Sequence, residues 1–114
     1  MTLTDWIEGY VRAWNTNDPA EIGALFTEEA EYYTEPYKPP AQGRDAIVAT
    51  WLEHRDEPGT TTFRWEPLVV TDDVAIVTAT TTYPDRVFSN LWVIRLTPEG
   101  ACRHFAEWWM EHPA

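Results

Sequence analysis

Residues 60–110 read TTTFRWEPLVVTDDVAIVTATTTYPDRVFSNLWVIRLTPEGACRHFAEWWM, and this half of the chain decides the fold. Four segments rich in Val, Thr, Ile and aromatics (Thr60–Val70, Val74–Tyr83, Val87–Leu96 and Ala101–Met110) are separated by Asp72-Asp73, Pro84-Asp85 and Pro98-Glu99-Gly100. Short turn-forming clusters between β-branched runs predict hairpins, so the four segments form an antiparallel meander. At about ten residues each, the strands exceed the usual five or six. Sheets of such strands twist and coil, so this one is expected to wrap around something.

The first half has a different period. Leu3, Trp6, Ile7, Tyr10, Val11 and Trp14 fall at helical spacing on one face. Thr2 or Thr4 can cap that helix and Asn15-Thr16-Asn17 ends it. Asp18 is a good cap for a second, short helix, with Pro19 at its first position and Glu21 completing a reciprocal cap. Its buried stripe is Ile22, Leu25 and Phe26. Ala30–Thr34 reads as a short strand. Three prolines make Glu35–Pro40 a loop. Gly43 precedes a third helix with Ile47, Val48, Trp51 and Leu52 on one face, and Pro58-Gly59 closes the connection after it. Helices followed by strands imply an α+β architecture with the helices packed on one face of the sheet. A chain of 114 residues, with no repeat or linker, holds one domain over 1–114.

Nineteen acidic against eight basic residues leave a formal charge of −11. Binding to nucleic acid or to an anionic membrane needs clustered cations, so both are excluded as partners. No apolar run approaches a membrane span, and Met1–Asp5 has neither a basic region nor an apolar signal core, so the cytoplasm is the expected location. The lone Cys102 rules out an internal disulfide and is expected to be a buried thiol rather than a nucleophile. His54, His104 and His112 are scattered, and His104 and Glu107, three apart on a strand, face opposite sides. No metal and no cofactor is expected. The five glycines are isolated, so no phosphate-binding loop exists.

Seven tryptophans are more than a core of this size needs, which points to a pocket wall or a subunit interface. Three motifs narrow the architecture. Tyr10-Val11-Arg12-Ala13-Trp14-Asn15-Thr16-Asn17-Asp18 is an aromatic helix ending in an Asn-Asp turn. Ile22–Phe26 is followed by Thr27-Glu28-Glu29-Ala30, and Gly43-Arg44-Asp45-Ala46-Ile47 opens the third helix. Together these resemble the nuclear transport factor 2-like superfamily, which includes ketosteroid isomerases, SnoaL-like polyketide cyclases and limonene epoxide hydrolase. The resemblance implies a cone-shaped, cystatin-like fold, in which three N-terminal helices sit in the concave face of a strongly curved antiparallel sheet. It also implies a pocket inside and a homodimer outside; Trp108 and Trp109, pointing opposite ways, fit both. Such a fold hosts enzymes, binding modules and adaptors alike, so chemistry must come from residues.

By resemblance to the ketosteroid isomerases, Glu35-Pro36 stands at the position of the base and Tyr10 at that of the first-helix tyrosine. Trp92 replaces the oxyanion-binding acid, so steroid isomerase activity does not carry over. Strand alternation offers another centre. Arg103, Phe105, Glu107 and Trp109 share one face of the last strand, and the family register turns the Phe105–Trp109 face inward. Glu107 then stands between aromatic neighbours, where desolvation raises a carboxyl pKa into a useful acid–base range. A shift of one residue would turn it to solvent. The catalytic candidates are therefore Glu107, Glu35 and Tyr10. Asn90, Trp92, Phe105 and Trp109 are expected to line the pocket from the sheet, joined by Trp14, Tyr33, Trp51 and Trp65. Thr78, Thr80 and Thr82 are possible wall hydroxyls. The Asp-Arg-Asp arrangement of epoxide hydrolases has only Asp85-Arg86 as a match, and that pair falls in a turn. Arg44 and Asp45 are expected to serve the start of the third helix. The leading expectation is binding of a small apolar or aromatic molecule, with cofactor-independent isomerase, cyclase or hydratase chemistry open. A non-catalytic ligand carrier or a dimeric interaction module is the alternative.

Overall fold

The structure, a computed structural model, describes residues 2–57 and 59–113; Met1, Ala114 and the Pro58 of the expected turn lie outside the described residues. Helix α1 spans Leu3–Thr16. Thr2, not Thr4, caps it: the Thr2 hydroxyl accepts the Asp5 N–H and the Asp5 carboxylate accepts the Thr2 N–H, both at 3.1 Å. Asn17 ends it in the left-handed region at φ 52°, returning its N–H to the Ala13 carbonyl. Helix α2, Pro19–Ala24, starts on the Asp18 carboxylate, which accepts the Ala20 N–H. Glu21 does not reach back to that cap, because it accepts the Thr16 hydroxyl at 2.9 Å instead. Helix α3, Arg44–Glu53, follows Gly43, whose φ of +90° suits glycine alone. Arg44, expected to serve the helix start, instead donates both Nε and Nη2 to the Phe26 carbonyl and ties α3 to the first strand.

Six strands form one sheet: β1 (Phe26–Tyr33), β2 (Ala41–Gln42), β3 (Thr62–Val70), β4 (Ala75–Thr82), β5 (Val87–Leu96) and β6 (Cys102–Glu111), in the order β2-β1-β6-β5-β4-β3. The meander of β3 to β6 is antiparallel and lies where the sequence places it. Two features of the other edge were not legible. The two-residue β2 follows the proline loop, and β1 lies parallel to β6, so the sheet is not antiparallel throughout. The chain arrives at β1 from a helix and leaves β6 at the far end of the meander, so no hairpin constrains that pair. Register shifts in β1, β3 and at the β5–β6 end bend the strands. The sheet curls without closing, leaving β2 and β3 as its edges.

The concave face carries the core. On β4 the buried residues are the odd-numbered Ala75, Val77, Ala79 and Thr81. Thr78, Thr80 and Thr82 therefore face outward, and the wall hydroxyl belongs to Thr81. Asn90, Trp92 and Ile94 of β5 and Phe105 of β6 continue the same face. Trp6 of α1, 1% exposed, sits at its centre against Phe26, Trp92 and Phe105, and its indole N–H donates to the Leu25 carbonyl at 2.9 Å. Among the described residues, no helix is long and apolar enough to cross a membrane. Removing the Trp6 ring leaves a large cavity, while the Leu25 carbonyl keeps the Cys102 N–H at 2.7 Å, so Trp6→Ala is expected to lower the stability in urea denaturation by about 3–5 kcal/mol. A loss below about 1 kcal/mol would show that α1 is not seated by this ring.

Candidate functional site

Between the helices and the far half of the concave face lies a cavity of about 520 Å³, a size suited to a small molecule. Tyr10 and Trp14 of α1, Trp51 of α3 and Tyr32 of β1 form one wall; Thr81, Asn90, Glu107 and Trp109 form the sheet side. His54, Arg55, Asp56, Tyr83, Arg86 and Phe88 surround its more exposed end.

Glu107 is the chemical centre. It pairs with Trp92 across β5 and β6, and its carboxylate oxygen Oε2 accepts hydrogen bonds from the Tyr32 hydroxyl and, at 3.5 Å, from the Tyr10 hydroxyl. The two phenol oxygens lie 3.3 Å apart. Burial pushes the Glu107 carboxyl above its usual range, and the donors Tyr32, Tyr10 and Trp92 oppose that shift only in part. The Trp92 indole N–H lies beyond ordinary hydrogen-bond geometry, buried without a partner, and so gives the carboxylate only weak support. Burial and then the Glu107 charge hold the Tyr10 and Tyr32 hydroxyls well above the ordinary phenol range. Both therefore stay protonated as donors at neutral pH.

A second polar group lies toward the opening. The Asp56 carboxylate, just after α3, accepts the Trp14 indole N–H at 2.8 Å and the Tyr83 hydroxyl at 2.9 Å. Asn17 holds the Asp56 carbonyl and receives the Trp51 indole N–H, so the left-handed cap of α1 also fixes the α3 end of the cavity. Thr81 donates its hydroxyl to the Asn90 side-chain oxygen at 2.7 Å, which orients the Asn90 amide along the wall.

The structure brings together Glu107, Tyr10, Trp14, Trp51, Asn90 and Trp109 around this cavity. Others are placed elsewhere. Glu35 leaves the site: it lies past the end of β1, paired with Lys38 at 2.9 Å on the proline loop. Tyr33 faces outward, its ring tilted against His104 and its hydroxyl hydrogen-bonded to Glu31, because β1 alternates in the opposite phase to the expected one; Tyr32 takes the inward place. Trp65 shares the row of Ala79, Asn90 and Trp109 but sits on the edge strand β3, packed against the core beyond the cavity. Trp92 and Phe105 have the expected facing, yet both are fully buried beneath the Tyr10 and Tyr32 rings and support the cavity floor rather than line it. Sequence reasoning missed Tyr32, Asp56 and Tyr83. The two adjacent tyrosines of β1 were the signal for the first; nothing local marks the other two.

Cys102 is buried, and desolvation pushes its thiol up to about 12. In the folded protein it should resist iodoacetamide for hours and react once denatured. Fast labelling under native conditions would show an accessible thiolate.

The SnoaL-like domain family matches residues 7–111. No curated protein matches the chain. Solved structures similar to it include an NTF-2 like protein of unknown function from Burkholderia xenovorans, at 13% identity and TM-score 0.77 over 97% of this chain and 84% of that one. A ketosteroid isomerase-like protein from Erwinia carotovora atroseptica aligns at 17% identity and TM-score 0.66, covering 97% and 95%. The epoxide hydrolase/cyclase-like enzyme SalBIII, of pyran ring formation in the polyether salinomycin, aligns at 20% identity and TM-score 0.71, covering 94% and 89%. At such identities the structural likenesses speak for the fold alone, and the family match across nearly the whole length settles membership: the chain belongs to the SnoaL-like domain family.

Proposed function

We propose that the chain binds a small, largely apolar molecule by a carbonyl or hydroxyl group and transfers a proton on it without a cofactor, using Glu107 with Tyr10 and Tyr32. One observation carries this reading: a carboxyl raised by burial stands on the wall of an aromatic cavity, hydrogen-bonded to two phenols that remain protonated. As a base, the Glu107 carboxylate takes a proton from the carbon beside a carbonyl. The electron pair moves to the carbonyl oxygen, which a tyrosine hydroxyl holds by hydrogen bonding, and Glu107 returns the proton at the same or a neighbouring carbon. The raised pKa makes the carboxylate a stronger base than an exposed one and suits both halves of that exchange. The same group acting on a hydroxyl would serve ring closure or water addition. The superfamily setting, with relatives named as ketosteroid isomerase-like and epoxide hydrolase/cyclase-like, supports this class of chemistry.

A probe reaction tests it without knowledge of the natural substrate. Deuterium exchange at the carbon beside the carbonyl of 2-tetralone, followed by NMR in D2O, should be accelerated by the wild type. Glu107→Gln should slow it by about 10²–10⁴-fold. Equal exchange by both proteins would remove Glu107 from catalysis.

Stability should report the same group independently. A carboxyl whose folded pKa is raised holds its proton to higher pH in the folded chain than in the unfolded one. Stability therefore falls as pH climbs from the ordinary carboxyl range through the raised value. Denaturation midpoints of the wild type should decline relative to Glu107→Gln across that window and stay parallel below it. Parallel curves throughout would mean that Glu107 is not desolvated.

We also propose that two copies associate through the convex face of the sheet. There Leu91 pairs with Trp108 and Val93 with Ala106, while Trp108 and Met110 remain 45% and 70% exposed. On a chain with nineteen acidic residues, the outward face of β3 to β6 carries Glu66 as its one acidic group within the described strands, so a second copy meets little repulsion there. Sedimentation should give a dimer for the wild type and a monomer for Trp108→Arg. A wild-type monomer at micromolar concentration would refute the contact.

A further inference from the structure

The exposed end of the cavity differs in charge from the rest of the molecule. Arg55 and Arg86, two of only eight basic residues, line it in a chain of net charge −11. Arg86 lies over two aromatic rings: its guanidinium carbon is 4.8 Å from the centre of the Tyr83 ring and 5.5 Å from that of Phe88. Contact with a ring consumes no guanidinium N–H as a hydrogen-bond donor to oxygen, and the guanidinium fork matches a carboxylate in geometry. Its neighbour Asp85 is 4.0 Å from Nε and 85% exposed, so it is a weak competitor for the cation. Asp56 accepts the Trp14 and Tyr83 donors at its Oδ2 and keeps its negative charge, so an anion at this end depends on the arginines to offset that repulsion. Tyr83 thus serves two purposes, satisfying Asp56 with its hydroxyl and carrying Arg86 on its ring. The Arg86 side chain is half exposed, at 49%, and lines the same cavity as Phe88 and Trp109, so its cation faces both solvent and the opening.

We propose that Arg86 is an anion-recognition residue at the cavity mouth, and that the ligand is an apolar molecule carrying a carboxylate at the end away from Glu107. The inference deepens the reading of the cavity as a ligand site and rests on it. The negative field of the chain opposes any anion, so recognition depends on a fixed cation at this one place. It also gives the ligand a direction: the carboxylate stays at Arg86 while the carbonyl or hydroxyl reaches Tyr10, Tyr32 and Glu107.

The test uses two probes of the same shape, 2-acetylnaphthalene and 6-acetyl-2-naphthoic acid, titrated against the intrinsic tryptophan fluorescence. At low salt the wild type should bind the acid about tenfold or more tightly than the neutral ketone, the range of a charge-assisted hydrogen bond. That ratio should collapse in Arg86→Gln, survive in part in Arg86→Lys, and shrink for the wild type as salt is added. Equal affinities for the two probes, or a preference for the acid that persists in Arg86→Gln, would overturn the assignment and leave the cavity as a ligand site. Failure of both probes to bind the wild type would overturn the cavity reading together with this one. Should Arg86→Gln fail to fold, Arg55→Gln decides the matter: the ratio should survive there, and its loss there would overturn the assignment to Arg86.

Discussion

The seating of α1 on the concave face by aromatic rings is the constraint on which the rest of this molecule depends. Trp6 meets Phe26, Trp92 and Phe105, and one turn later Tyr10 rests on Trp92 and Phe105 at centroid distances of 4.6 and 5.6 Å. These contacts bury the helix and fix where the Tyr10 hydroxyl projects. The β5–β6 register then sets Glu107 directly opposite Trp92, so the carboxyl emerges beside that hydroxyl. Packing energy from the rings thereby offsets the cost of holding a carboxyl out of water. The core and the site are two ends of one cluster.

Much of this was legible in the sequence, and the reasons are particular. The meander could be read because Asp72-Asp73, Pro84-Asp85 and Pro98-Glu99-Gly100 mark its turns; alternation put Phe105, Glu107 and Trp109 on one face, and the family register, not the local pattern, turned that face inward. Helix caps at Thr2 and Asp18 were local and therefore visible. What failed depends on contacts between distant segments. The phase of β1 is set by its parallel pairing with β6, with Tyr32 beside Phe105, and no pattern within Glu31–Thr34 distinguishes Tyr32 from Tyr33. Residues 78–82 are threonine except for Ala79, and the adjacent Thr80, Thr81 and Thr82 look alike, so only the register against β5 tells that Thr81 is the inward member. Asp56 belongs to a loop without motif, and its place is decided by Trp14 and Tyr83, far along the chain on either side.

The polar groups of the cavity fall into two sets with different physical settings. Around Glu107 the donors are phenols that burial keeps protonated, and the carboxyl itself is raised by the same burial. Around Asp56 the donors are an indole and a phenol near the opening, with arginines close by. An apolar middle of Trp51, Ile47 and Ala41 lies on the helix side of the same cavity. A ligand matched to this lining has an uncharged polar group at the deep end and tolerates charge only near the mouth. The left-handed Asn17 links the two regions, since it ends α1 and at the same time anchors the Asp56 backbone and the Trp51 ring.

The account stands on the protonation of one buried carboxyl, which carbon-13 NMR can follow directly. In protein labelled at the glutamate side-chain carboxyl carbons, the resonance that disappears in Glu107→Gln should titrate at higher pH than the bulk of the other glutamates, with its midpoint above the ordinary carboxyl range. A Glu107 resonance that titrates together with the exposed glutamates would contradict the account.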